Sequence, residues 1–116
     1  MNRCLYLLAV ASVLILSSCS TKQSLYSWDK YQIASYNYLK NSDDKSINQL
    51  IETYQRIIEN QKGSRGVVPP GIYADYGFVL LQSDKSEEGK AMLLKEVELY
   101  PESKQFIDRI LKMIEE

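Results

Sequence analysis

The spacing of apolar residues beyond Leu25 constrains the fold most strongly. From there to the C-terminus they recur at intervals of three and four, the period of a helix with one buried face. No stretch alternates apolar and polar residues as a half-buried strand does, and the pair Val67 and Val68 is short and lies beside two prolines. The sequence therefore predicts an all-α fold of antiparallel helix pairs.

Turn and cap residues divide this pattern into five helices. Residues 41–44 can end the first helix, which carries Trp28, and can cap the second. Gly63 is expected to end the second helix, and Pro70 to lie in the first turn of the third. The apolar residues that the five predicted helices carry are Trp28, Tyr31, Ala34 and Tyr38; Ile47, Leu50, Ile51, Tyr54, Ile57 and Ile58; Ile72, Tyr73, Tyr76, Phe78, Val79, Leu80 and Leu81; Met92, Leu93, Val97 and Tyr100; Phe106, Ile107, Ile110, Leu111 and Ile114.

The segment from Tyr73 to Pro101 resembles a tetratricopeptide repeat, in which two antiparallel helices pack closely. Gly77 would let the helices approach, and Gly89 would do the same from the partner helix. Two residues depart from the pattern. Glu96 occupies a position that is usually small and buried, and Asp84 stands where glycine is common at the turn.

The same framework recurs 42 residues earlier with weaker matches. Its residues are Tyr31, Ala34, Ser35 and Tyr38, then Ile47, Ile51 and Tyr54. The loop 63–71 accounts for the excess over the usual period of about 34 residues. A last helix over 103–115, which Ser103 can cap, would cover the open end of the two repeats. A generic antiparallel bundle would use the same faces and is the alternative.

A different signal precedes the helices. The apolar run Leu5–Leu16 follows a positive charge at Arg3 and is too short to cross a bilayer. It ends in Leu16-Ser17-Ser18-Cys19, which resembles the lipobox that bacterial lipoprotein signal peptidase reads. The resemblance implies removal of the leader and diacylglyceryl modification and acylation of Cys19. An ordinary signal peptide, with Cys19 left as a free thiol, is the alternative.

This leader divides the chain into three parts. Residues 1–18 are the predicted lipoprotein signal peptide, 19–25 a lipidated tether and 26–116 a tetratricopeptide-like helical domain. Acyl chains on Cys19 would hold the protein on a bacterial membrane, since each buried methylene contributes about 0.8 kcal/mol. Ser20 stands where an aspartate would resemble the inner-membrane retention signal. We therefore expect the outer membrane, on its periplasmic side.

Composition excludes several functions. The mature chain would carry 13 basic and 15 acidic residues, a balance that argues against a nucleic-acid partner. The chain has no histidine, Cys4 would leave with the leader and Cys19 would carry lipid, so Ser-His and Cys-His nucleophilic systems and the commonest metal ligand are excluded. Acidic pairs such as Glu87 and Glu88 lie at predicted helix ends. We expect no enzymatic activity, no metal and no cofactor.

The mature chain also resembles a family of small bacterial lipoproteins defined only by a domain of unknown function. Three stretches carry the resemblance: Tyr26 to Tyr31, Val68 to Ala74 with its Pro-Pro-Gly, and Tyr100 to Ser103. Members resemble accessory lipoproteins, and some are encoded beside a lipoprotein similar to the curli secretion channel. The resemblance implies a partner among envelope lipoproteins or secretion components.

Two aromatic residues fall off the packing stripes. Tyr36 and Phe78 occupy the same position of the two predicted repeats, which faces the concave groove of a tetratricopeptide superhelix. With Gln32, Leu39 and Ala74 they would line a short groove for a partner, unless a neighbouring helix covers them. The sequence thus favours a lipid-anchored, non-enzymatic protein–protein adaptor. The alternative is a periplasmic binding module for a peptide, peptidoglycan or lipid.

Overall fold

The computed structural model describes residues 1–16 and 20–116, and within them it contains six α-helices, one short 3-10 helix and no strand. The predicted all-α fold is confirmed. None of the described helices combines the length and apolar character that crossing a membrane requires. The elements are α1 (Asn2–Leu16), α2 (Tyr31–Asn41), α3 (Asp44–Glu59), α4 (Ile72–Gln82), α5 (Ser86–Leu99), the 3-10 helix (Pro101–Ser103) and α6 (Lys104–Glu115).

Two helix pairs, α2 with α3 and α4 with α5, repeat the same backbone conformations. Asp29 before α2 and Gly71 before α4 both have positive φ angles, of 45° and 90°. The turns inside the pairs place Ser42 and Asp84 in the left-handed region, with φ of 50° and 61°. Each of these couples is 42 residues apart, so the predicted repeat extends to the turns. Asp84 adopts the conformation that glycine adopts more readily at this turn.

The hydrophobic core lies between α3 and α4, and α2 contributes Ala34 to it. Leu93 of α5 and Ile107 of α6 are completely buried, which places α6 against the second pair as the predicted covering helix. The buried apolar residues of the main core are Ala34, Leu50, Tyr54, Ile57, Val68, Ile72, Tyr76, Val79 and Leu80.

Helices α4 and α5 approach until their backbones touch. A methyl group on Gly77 would lie 2.8 Å from the carbonyl oxygen of Gly89, and one on Gly89 would lie 2.8 Å from the carbonyl oxygen of Gly77. Real Cβ atoms do not come so close to a carbonyl, so both positions require glycine. The two glycines therefore have the role that the repeat pattern predicts.

The contacts of Glu96 explain why a carboxylate occupies a position that is usually small in the repeat pattern. Its side chain is buried, and its carboxylate accepts hydrogen bonds from the backbone N–H groups of Gly71 at 2.8 Å and Ala74 at 3.3 Å. These donors belong to the start of α4, where Gly71 has no side chain to cap the helix. A carboxylate beside the positive end of the helix dipole is favourable. Glu96 of α5 therefore caps α4.

Several predicted helix ends are wrong by a few residues. Trp28 lies before α2 rather than in it, and α4 begins at Ile72, so Pro70 precedes its first turn. Helix α3 ends at Glu59, and Gly63 instead lies against the N-terminal segment, where a side chain would collide with the carbonyl oxygen of Leu25.

The predicted caps of α3 and α6 have different outcomes. Asp43 and Ser46 form a reciprocal capping box at the start of α3, as expected from the polar stretch there. Ser103 makes no cap, because its hydroxyl donates to the carbonyl oxygen of Tyr100 within the 3-10 turn. Phe106, predicted on the packing face of α6, is exposed.

Candidate functional site

Two tyrosine hydroxyls fix α2 beside α4. Tyr31 donates a hydrogen bond to Oδ2 of Asp75 at 2.5 Å, and Tyr38 donates one to Oε1 of Gln82 at 2.8 Å. Both pairs are separated by 44 residues, and this equal separation at two points means that the helices run parallel in constant register. The first helices of the two repeats thus lie side by side, as in a tetratricopeptide array.

This register decides which side chains share a surface. A helix turns by about 100° per residue, so Leu39 lies about 100° around α2 from Tyr38. Ala34 marks the opposite, buried side of α2, next to α3. The same geometry on α4 puts Val79 on the core side and Phe78 on the outer side. Gln32, Leu39, Ala74 and Phe78 therefore line the outer side of the junction between α2 and α4.

Most residues of the predicted groove are open to solvent. Leu39 is 77% exposed, Tyr36 60% and Phe78 48%, whereas Ala74 is half-buried and Gln32 is exposed. Within the described residues, no neighbouring helix covers Tyr36 or Phe78. We call the set Gln32, Tyr36, Leu39, Ala74 and Phe78 the α2–α4 face.

Tyr36 lies at the edge of this face that is remote from α4. There it borders an open concavity of about 600 Å³, which is lined by Asp29, Lys30, Gln32, Ile33 and Tyr36. Ile33 is 61% exposed and was not among the predicted groove residues. Its sequence signal is its position three residues before Tyr36, which is itself three residues before Leu39, and this spacing places the three side chains along one side of α2.

A row of aromatic rings lies beneath this face. The ring centroids of Tyr31 and Tyr54 are 5.9 Å apart, and those of Tyr54 and Tyr76 are 5.3 Å apart. Burial and the nearby Asp75 raise the pKa of Tyr31 and the pKa of Tyr54 above the usual value. Both phenols therefore stay protonated at neutral pH. Tyr31 donates the hydrogen bond to Asp75, and Tyr54 packs between the rings of Tyr31 and Tyr76.

A second concavity lies between α3 and α5. It has a volume of about 680 Å³ and is lined by Ile58, Glu59, Gln61, Gly66, Val67, Val68, Tyr73, Lys95, Glu98 and Leu99. The ammonium group of Lys95 lies 5.7 Å from the centre of the Tyr73 ring. Burial and the charges of Glu98 and Glu96 raise the pKa of Tyr73. We call this set the α3–α5 cleft.

The N-terminal segment is fixed to the loop that follows α3. The backbone N–H of Ser64 donates to the carbonyl oxygen of Ser24 at 2.9 Å, and that of Arg65 donates to the carbonyl oxygen of Leu25 at 3.1 Å. Arg65 also donates from Nη1 to the hydroxyl of Tyr26 at 3.1 Å. Two backbone bonds in succession give the segment a defined position on the loop.

Side chains extend this attachment in both directions. Nε2 of Gln23 donates to the carbonyl oxygen of Lys62 at 2.9 Å. Gln61 exchanges two hydrogen bonds with the backbone of Ser27, at 3.0 and 3.3 Å. The chain is therefore held from Gln23 onwards, two residues before the end of the predicted tether. Cys19, the predicted acylation site, lies outside the described residues.

The described residues offer no metal site, since they contain no group of three or more His, Cys, Asp or Glu side chains that could hold an ion. What the arrangement supplies is an apolar face on two fixed helices and a polar-rimmed cleft. Fold and surface together define the class: a small helical-repeat protein of tetratricopeptide-like architecture.

The chain belongs to the family whose model matches most of its length. Residues 25–110 match the family model described as domain of unknown function (DUF4810), which confirms the predicted relationship to such a family. No curated protein and no solved structure matches the chain.

Proposed function

We propose that this protein is an outer-membrane lipoprotein, acylated on Cys19 and facing the periplasm, that acts as a non-enzymatic protein–protein adaptor. Its α2–α4 face binds another envelope lipoprotein or a secretion component. The observation that supports this most directly is the exposure of Tyr36, Leu39 and Phe78 on two helices held in fixed register.

The chemistry of this face suits a protein partner. Large apolar side chains grouped on one surface are typical of interaction sites, and tyrosine is enriched among the residues that dominate binding energy. Hydrogen bonds from Tyr31 and Tyr38 hold the two helices together before any partner arrives. A preformed face loses little conformational entropy on binding.

Crosslinking in the native envelope tests the adaptor role. A photo-crosslinking residue in place of Tyr36 should capture a defined partner, and one in place of Phe106 on α6 is the matched control because Phe106 is similarly exposed. The double variant Tyr36→Ala/Phe78→Ala should remain helical and lose the partner, whereas Phe106→Ala/Met113→Ala should keep it. Capture that is equal at both positions would contradict a role for the α2–α4 face.

The anchor is tested separately. Cys19→Ser, in a chain whose residues 1–18 are replaced by a leader that ordinary signal peptidase removes, should leave the protein in the soluble periplasmic fraction, because no acyl chain remains to insert into the bilayer. Mass spectrometry of the wild-type protein should find diacylglyceryl and acyl groups on the N-terminal cysteine. An unmodified thiol, or continued fractionation of Cys19→Ser with membranes, would refute the anchoring proposal.

The α3–α5 cleft supports a second candidate function, the binding of a small or polymeric envelope ligand. It combines an apolar floor with charged groups at its rim, and Glu59 and Glu98 make no ion pair among the described residues. Peptidoglycan fragments and short peptides should bind in calorimetry, and Lys95→Ala with Tyr73→Ala should abolish the heat. Binding that survives both substitutions would exclude the cleft.

A further inference from the structure

The fixed N-terminal segment places one end of the domain next to the proposed lipid anchor. Only residues 20–22 separate Cys19 from Gln23, and four steps of about 3.5 Å give a reach of at most about 14 Å. The loop residues bonded to this segment, Lys62 to Arg65, therefore stay close to the acylated cysteine.

The opposite end of the domain lies one helix length away. Helix α3 has 16 residues and rises about 1.5 Å per residue, so its first turn is about 24 Å from its end at Glu59. The turn between α4 and α5 is at this same remote end, because α4 also starts near the loop and leads away from it. The anchor thus distinguishes a near end from a far end.

The two ends differ in charge. Next to the tether, residues 20–28 and 60–71 at the near end contain three basic residues and no acidic one: Lys22, Lys62 and Arg65. The acidic residues of this end, Glu59, Glu98 and Glu102, belong to the α3–α5 cleft and to the turn after α5. The far turns, residues 42–45 and 83–88, contain five acidic residues against two lysines: Asp43, Asp44, Asp84, Glu87 and Glu88. Exposed Leu25 adds an apolar side chain to the near end.

Lipid headgroups are the surface that this distribution fits. Basic residues close to an anionic bilayer each gain about 1 kcal/mol, and the gain disappears beyond about 10 Å at ordinary salt. The tether, with its reach of at most about 14 Å, lets the near end come within that distance if Cys19 is acylated. The far end, about 24 Å further along α3, is outside it when the helices point away from the bilayer. Acidic far turns that tipped towards the bilayer would be repelled.

We infer that the near end rests on the anionic headgroups of the same membrane that holds the anchor, and that the helices point away from it. This inference depends on the proposed acylation of Cys19. The fixed segment then acts as an orienting device, which keeps the α2–α4 face upright and open to the periplasm rather than flat on the lipid.

Fluorescence quenching tests the orientation in the mature acylated protein. Its only native cysteine would carry lipid, so a single introduced thiol can be labelled with nitrobenzoxadiazole. Ser64→Cys at the near end and Asn48→Cys at the far end are a matched pair, because both side chains are exposed and neither makes a side-chain hydrogen bond in the described structure. The vesicles contain phosphatidylethanolamine and phosphatidylglycerol with a headgroup nitroxide.

The label at position 64 should lose most of its emission, and the label at position 48 should keep most of its own. Equal quenching at both positions on vesicle-bound protein would overturn the orientation while leaving the anchor intact. Protein that does not co-sediment with vesicles would instead overturn the proposed acylation. The two failures are therefore distinguishable.

Charge reversal identifies the headgroup contact itself. Lys22→Glu/Lys62→Glu gives the near end a net negative charge and should reduce quenching at position 64 on these vesicles, but not on vesicles of phosphatidylcholine alone. Lys45→Glu/Lys85→Glu reverses the same number of charges at the far end and should change nothing. A near-end variant that is quenched like the wild type would refute the contact with anionic headgroups.

Discussion

The two helix pairs share a backbone plan but differ in how their helices meet. Helices α4 and α5 touch through Gly77 and Gly89, whereas the positions 42 residues earlier are Ser35 and Ile47. Five residues of α4 are buried, but only Ala34 is buried in α2. The second pair is therefore the rigid part of the domain, and the first pair presents its outer helix to solvent.

This difference shows how a repeat can divide its tasks. Backbone contact and the Glu96 cap stabilise the second pair without using the outer side of α4. The first pair is attached to it by Tyr31 and Tyr38, and α2 keeps Ile33, Tyr36 and Leu39 exposed. Four predictions test this division.

Gly77→Ala should have the largest effect. The new methyl group would meet the Gly89 carbonyl at 2.8 Å and Leu93 at 3.0 Å, so α4 and α5 must separate. We expect a loss of about 3 kcal/mol in the free energy of unfolding, measured in urea by circular dichroism. The sign of this change in stability is informative, because alanine normally stabilises a helix by about 1 kcal/mol relative to glycine. Ser35→Ala, the equivalent position of the first pair, should change stability by no more than about 0.5 kcal/mol.

Glu96→Ala should come next, with a loss of about 2 kcal/mol, because two backbone N–H groups lose a buried acceptor. Glu96→Gln keeps one acceptor oxygen but no charge for the helix dipole, and should cost about 1 kcal/mol. Urea unfolding measures both. Equal stability of Glu96→Ala and the wild type would mean that Glu96 does not cap α4.

Tyr31→Phe removes a hydroxyl between the pairs and should cost about 1 kcal/mol, with exposed Tyr36→Phe as the control.

Folding raises the pKa of Tyr31, through burial and then Asp75, and the pKa of Tyr54, through burial. The unfolded phenols ionise first, near about pH 10, so stability should be constant below that pH and fall above it. Urea unfolding across the alkaline range should show a shallower fall in Tyr54→Phe. An unchanged fall would contradict this assignment.

The smallest effect is expected at the turns that both pairs share. Asp84→Gly relieves the left-handed conformation but gains freedom in the unfolded chain, so stability should rise by only about 0.5 kcal/mol. Ser42→Gly should gain less, since the Ser42 hydroxyl also bonds the carbonyl oxygen of Tyr38 at 3.1 Å. Thermal unfolding measures both, and a loss of stability in Asp84→Gly would show that the aspartate side chain matters there.

The sequence allowed prediction of features that depend on neighbouring residues. The helices, the capping box at Asp43 and the Gly77–Gly89 contact follow from local spacing and from the size of single residues. The errors at Gly63 and Ser103 have one cause. Each residue has a partner that competes with the local role: the N-terminal segment for Gly63 and the Tyr100 carbonyl for Ser103.

Contacts between residues far apart in the sequence also limit what could be predicted about the surface. Glu96 departed from the repeat pattern because its carboxylate oxygens accept hydrogen bonds from backbone N–H groups that lie 22 and 25 positions earlier. Attachment of the chain from Gln23 depends on bonds to a loop 39 residues away, which no local pattern indicates. Ile33 was not predicted as an exposed surface residue, because the comparison of the two repeats indicated only Tyr36 and Phe78. The functional role of this face stays a prediction.

The Glu96 carboxylate also links the opening of one helix to the undocking of another. The amide protons of Gly71 and Ala74 are held by a side chain of α5, so they can exchange with solvent only when α5 moves away from α4 or the first turn of α4 frays against it. Hydrogen-exchange rates at these two amides therefore report on the cooperativity of the whole second pair.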